Sequence, residues 1–163
     1  MSQKLFRLCT VAQIESMVLR RKFNPKRRIA ANVDEQELVK LAARVIYKGS
    51  PEHKRFPGSY GLTPPTDPRP DKTPCDGVNL TELGVAQELL REGVRRGLVS
   101  VQERAGLPQN IWAVSEADVP LEAQLENQGN ATYHGYPMQK GDRYSGDPLY
   151  EEVLRRWKAS GQK

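Results

Sequence analysis

The stretch 119-VPLEAQLE-126 alternates strictly, with Val119, Leu121, Ala123 and Leu125 on one side and Glu122, Gln124 and Glu126 on the other. A period of two predicts a strand that lays one face on a core and turns the other toward water, the habit of antiparallel sheets. The tetrapeptide 127-NQGN-130 is rich in turn residues, so 131-ATYHGYPM-138 is expected to return alongside as the second arm of a hairpin. Just upstream, 110-NIWAVS-115 reads as a short buried strand, completing a three-stranded meander.

Helical periods occupy the flanks. A capping box at 10-TVAQ-13 opens a first helix with Val11, Ile14 and Val18 at helical spacing, and Asn24-Pro25 should end it. A second box, 34-DEQE-37, opens a helix whose Leu38, Leu41, Ala42, Val45 and Ile46 form one apolar stripe, with Gly49 as its stop. A third begins near Thr81, turns Leu83, Ala86, Leu89, Leu90 and Val94 inward, and ends at 97-GL-98 in the manner of a Schellman motif. A last helix follows Asp147 as N-cap and Pro148 at its first position, with Leu149, Val153 and Trp157 on its buried side. This order predicts an α+β fold: N-terminal helices packed on a small antiparallel sheet of three to four strands, with a C-terminal helix. Residues 1–33 form a basic helical segment, and residues 34–163 a single domain interrupted by a proline-rich loop at 50–80.

That loop has no period, and seven of the chain's twelve prolines fall within 51–74. An insert of this length is either disordered or a working loop. Phe56, Tyr60 and Leu62 offer anchors, and prolines reduce the entropy lost on ordering, which favours the second reading.

With 163 residues and 37% hydrophobic content, the chain suits one soluble domain with a thin core. No apolar run approaches the roughly 18 residues of a membrane span. The start, 1-MSQKLFRLCT-10, lacks the apolar region of a signal peptide, so a free-standing cytoplasmic protein with Cys9 and Cys75 reduced is expected. Charge is uneven. Residues 1–33 hold eight basic side chains against one acid, whereas the remainder holds 17 against 19. The block 20-RRKFNPKRR-28, with Arg20, Arg21, Arg27 and Arg28, reads as a contact for a phosphate backbone or an acidic protein, or else as a solvated turn between helices.

Only two histidines are present. His53 lies in 48-KGSPEHKR-55, beside Lys48, Ser50, Lys54 and Arg55. His134 lies in the last strand between Tyr133 and Tyr136, where alternation puts Thr132, His134 and Tyr136 on one face and Tyr133 on the other. Metal-independent cleavage of an RNA phosphodiester needs a base for the 2′-hydroxyl, an acid for the leaving 5′-oxygen and cations for the phosphate. Histidine suits the proton transfers and Arg or Lys the charge. On this reading His53, His134, Lys54 and Tyr136 are catalytic candidates. Lys48, Ser50, Arg55, Arg69, Tyr133, Arg20, Arg21, Arg27 and Arg28 are candidates for binding substrate. A zinc site from Cys9, Cys75, His53 and His134 lacks any CxxC or HxxxH pairing. A Cys75 nucleophile with a histidine base is open, although 74-PCDG-77 resembles an ordinary turn; there is no P-loop or GxGxxG, and neither metal nor cofactor is implied. The competing class is a non-catalytic module that grips nucleic acid or protein through the basic segment and the proline-rich loop, with His53 exposed in a loop and His134 satisfied in a sheet.

The order of elements over residues 34–138, together with 53-HKR-55 and 133-YHGY-136, resembles the compact bacterial ribonuclease toxins: barnase, the colicin-type tRNA nucleases and the RelE-like mRNA interferases. The resemblance implies N-terminal helices on a small antiparallel sheet, with Lys, Arg and His on the sheet face and adjoining loops. It also implies RNA hydrolysis without a metal, a role in bacterial defence, and a cognate antitoxin or immunity protein in the cytoplasm.

Overall fold

A computed structural model of the chain describes residues 24, 26–49, 58, 61, 63, 66, 82–140 and 146–161. The expected first helix from Thr10 lies outside these residues, as does most of the proline-rich loop.

The α1 helix, Glu35–Arg44, starts where its capping box predicts: Asp34 is extended, and its carboxylate accepts from the Glu37 N–H at 3.1 Å. It ends five residues before Gly49. Val45 is already extended, and β1, Ile46–Tyr47, follows directly. Two β-branched side chains and an aromatic fit a pleated strand better than a helix's last turn. Tertiary bonds complete the switch, from Ile46 N–H to Ala131 O at 3.0 Å and from Lys48 N–H to Tyr133 O at 2.9 Å. Gly49 keeps a left-handed φ of 80°, but it follows a strand.

The α2 helix, Leu83–Arg95, closes as expected. Gly97 sits at φ 70°, its N–H bonds Val94 O at 2.8 Å, and the Leu98 N–H bonds Gly93 O at 2.9 Å, the two bonds of a Schellman motif. A small hairpin of β2, Glu103–Arg104, and β3, Leu107–Pro108, leads into β4, Asn110–Val114. Strands β5, Pro120–Asn127, and β6, Thr132–Pro137, form the expected hairpin around an Asx turn in which Asn127 Oδ1 accepts from Gly129 N–H at 2.8 Å. An extra residue on β5 between Leu125 and Asn127 makes a bulge. The C-terminal α3 helix, Tyr150–Ser160, begins two residues later than sequence suggests. Asp147 still caps this entry, accepting from Leu149 N–H at 2.9 Å, but Pro148 and Leu149 make a turn first.

The main sheet runs β1-β6-β5-β4, antiparallel except that β1 joins β6 in parallel. The fold is α+β as expected, with a mixed sheet in place of a purely antiparallel one. Beyond β4 the sheet curls: Val99 bridges Ile111, and Ile29 bridges Ser100, so residues 28–30 form an outer fringe. The first face carries Ile111, Leu121, Ala123, Leu125 and Tyr133 against Leu38 and Ala42 of α1 and Ala86, Leu90 and Val94 of α2. On the opposite face Trp112 and Val114 meet Leu149, Tyr150 and Val153 around α3. That second cover reaches only part of the face. The remainder is polar.

Candidate functional site

Register fixes what shares this second face. Trp112, Glu122 and Tyr136 stand in one row across β4, β5 and β6, and Asn110, Gln124 and His134 in the next. The parallel pairing sets Ile46 beside Thr132 and Tyr47 beside Tyr133, and the Lys48 N–H continues that ladder. Lys48 therefore falls next to His134 and, by alternation, on the same side as the half-exposed Ile46.

At the centre is Glu122, with no exposed surface. The alternation that predicts a strand here also predicts Glu122 in water, and the structure corrects this. Because the sheet curls, the fringe at 28–30 carries Arg27 back over β5. There Arg27 Nε donates to Glu122 Oε1 at 3.0 Å, and Arg27 Nη2 donates to Glu122 Oε2. Asn110 Nδ2 adds a bond to Oε1 at 2.6 Å and Trp112 Nε1 one to Oε2 at 3.3 Å. A carboxylate offers about four lone-pair sites, and these four donors take them up. The other side of Arg27 faces Asp147, with Nη1–Oδ1 at 3.0 Å and Nη2–Oδ2 at 2.6 Å. Burial pulls the Arg27 pKa down, but hydrogen bonds to Glu122 and Asp147 outweigh it and hold the guanidinium above its ordinary value.

Tyr136 is half-buried. Burial first, then the charge of Glu122, pushes its phenol above the ordinary value, so it stays protonated at neutral pH. Gln124 Nε2 donates to the Tyr136 hydroxyl at 2.7 Å.

Of the residues that sequence singles out, His134, Tyr136 and Lys48 come together on this face. Arg28 is exposed on the adjoining fringe. Arg20, Arg21, Ser50, His53, Lys54, Arg55 and Arg69 lie outside the described residues, as do Cys9 and Cys75. Tyr133 is corrected to a core residue: it has no exposed surface, its hydroxyl donates to Pro108 O at 2.7 Å, and a wholly enclosed ring cannot stack on a base. The guanidinium of Arg27, expected to contact substrate, lies between two carboxylates. Sequence reasoning missed Glu122, Asn110, Asp147 and Gln124. Among the described residues, no group of three or more His, Cys, Asp or Glu side chains is arranged to hold a metal ion.

Elsewhere, about 340 Å³ of open space lies between α2 and the first face, lined largely by Tyr47, Ala86, Leu89, Leu90, Ala123 and Gly135. Its walls are mainly apolar, so it contributes burial rather than proton transfer. Among the described residues no helix is long and apolar enough to cross a membrane.

Comparison of the chain with protein-family models, with curated proteins and with solved structures finds no match. Function is therefore argued from the site.

Proposed function

We propose that this protein is a metal-independent endoribonuclease, acting in the cytoplasm as a toxin whose activity a partner protein restrains. The observation that carries the reading is the bond from the Lys48 N–H to Tyr133 O, which extends the β1–β6 register and sets Lys48 next to His134 on the side of the sheet away from the main core. His134 is the group for proton transfer: as base it takes the 2′-hydroxyl proton while the 2′-oxygen attacks phosphorus. Lys48, exposed beside it, supplies positive charge to the phosphate oxygens as the pentavalent arrangement forms. The bond to the 5′-oxygen breaks, and that oxygen leaves with a proton from an acid, the role proposed for His53. The products are a 2′,3′-cyclic phosphate and a 5′-hydroxyl. Tyr136, half-buried across the ladder from Glu122 and accepting from Gln124, belongs to the support of the site.

The alternative is a module that binds RNA without cutting it. Exposed Arg28, on the outer fringe of the sheet, favours contact with phosphate but has no means of moving a proton. One experiment separates the two. Full-length protein is incubated with total cellular RNA in EDTA, beside His134→Ala and His53→Ala variants. The enzyme reading expects cleavage ending in cyclic phosphate, reduced at least about a hundredfold by His134→Ala. Intact RNA with salt-sensitive binding would leave the module as the function. Expression of the wild type in cells should be toxic, and His134→Ala should relieve that toxicity.

A further inference from the structure

The short segment 27–30 has two sides. One lies on the sheet: Ala30 N–H donates to Val99 O and Val101 N–H to Arg28 O, both at 2.8 Å, and Arg27 reaches Glu122. The other grips the C-terminal helix. Arg27 donates to both oxygens of Asp147, and Asp147 Oδ1 also accepts from the Leu149 N–H at the entry to α3. Ile29 is enclosed in one apolar cluster with Leu149, Tyr150 and Val153. Further along the helix, Arg156 Nη1 donates to Ala30 O at 2.9 Å. Segment and helix, 120 and 126 positions apart at the two polar contacts, are joined by charge, by burial and by a main-chain acceptor.

These contacts decide how the two parts can come away. Were α3 to leave alone, Ile29 would lose its cover and Arg27 one of its carboxylates. Were the segment to leave alone, the apolar side of α3 would be bared, and Asp147 and Arg156 would lose their partner. A joint departure keeps all of these contacts. The bonds it must break are those to the sheet and the hold of Arg96, which donates to Trp157 O at 2.9 Å and lies 4.0 Å from that ring. We infer that residues 27–30 and α3 act as a clasp, a unit that opens and closes as one and whose opening bares Glu122 to water. Enclosure of the central carboxylate is then conditional, because Arg27 leaves with the clasp and water takes its place. A ligand that grips either part, such as one held by exposed Arg28, acts on both, since coupling between two sites is reciprocal.

Native-state hydrogen exchange of the full-length protein, resolved by residue, tests this. In the wild type the amides of Ala30 and Val101 should share one opening constant with those of residues 153–157, at least about tenfold larger than that of the β5 and β6 amides. Arg156→Met, made in the helix, should raise the constant of both groups by about tenfold, the worth of a hydrogen bond to a charged group. Ile29→Val, made in the segment, should raise both by about fivefold, the worth of a methylene lost from an enclosed site. Each variant is read on the part that it does not alter. Unequal constants in the wild type, or a variant that accelerates only its own side, would mean that segment and helix open separately, and would overturn the inference. A shared constant no larger than that of β5 and β6 would mean that only the whole molecule unfolds, and would overturn it as well.

Discussion

Glu122 is one residue on which both structure and site depend, because a carboxylate without exposed surface needs its partners to be tolerated at all. Removing one member of a buried pair leaves the other charged and uncompensated. Arg27→Ala should therefore lower stability by about 3–5 kcal/mol, although Arg27 lies outside every hydrophobic cluster. Urea unfolding followed by circular dichroism measures this, and a loss under about 1 kcal/mol would show that Glu122 is solvated, as exposed pairs are. The pair Arg27→Met with Glu122→Leu should lose less than the single change, since the fully enclosed carboxylate is then gone and only the partly exposed Asp147 loses its partner. None of this is legible in 119-VPLEAQLE-126. Alternation reports which residues share a face, and it did so correctly for Leu121, Ala123 and Leu125. It says nothing about what arrives over the other face from 95 residues away. The same holds for Tyr133 and His134: the pattern separates their faces, but only tertiary packing decides which face is enclosed.

Elements that close on their own neighbours were the legible ones. The Asp34 cap, the Schellman stop at Gly97 and the β5–β6 hairpin each depend on residues within a few positions of one another. The β1 strand was not legible, because Val45 and Ile46 extend the apolar stripe of α1. Its partner, β6, lies more than eighty residues downstream. Here the side chain of Gln87 completes the element from outside. Its carbonyl accepts from Tyr47 N–H at 2.8 Å and its NH2 donates to Val45 O at 3.0 Å, so one amide caps the β1 edge, which among the described residues pairs with no strand. The contact of α2 with the sheet is set at Gly93. A Cβ placed there would stand 2.2 Å from the backbone oxygen of Trp112, which belongs to β4 and cannot move alone. Gly93→Ala should consequently cost about 3 kcal/mol by levering α2 off the sheet, although alanine is the better helix former. Thermal unfolding of the variant tests this, and a stability gain would mean that helix and strand pack less closely than described.

At the scale of the molecule, the described cations of the basic N-terminal fifth are of two kinds. All eight of its cations look equivalent in the sequence, yet Arg27 is enclosed between Glu122 and Asp147 while Arg28 faces solvent one residue later. Only a cation that neutralises a phosphate releases a counterion, so binding of a single strand should weaken with salt by about 0.7 in log–log slope per such contact. Arg28→Ala and Lys48→Ala should each lower that slope by about this amount, with stability left unchanged to within about 0.5 kcal/mol. Arg27→Ala should do the reverse, lowering stability without altering the slope of the protein that remains folded. Fluorescence anisotropy of a labelled RNA across a salt series, run beside urea unfolding, reads both quantities on the same samples. An unchanged slope in both Arg28→Ala and Lys48→Ala would place the RNA away from both residues. A slope lost in Arg27→Ala would mean that its ion pairs open to admit a phosphate.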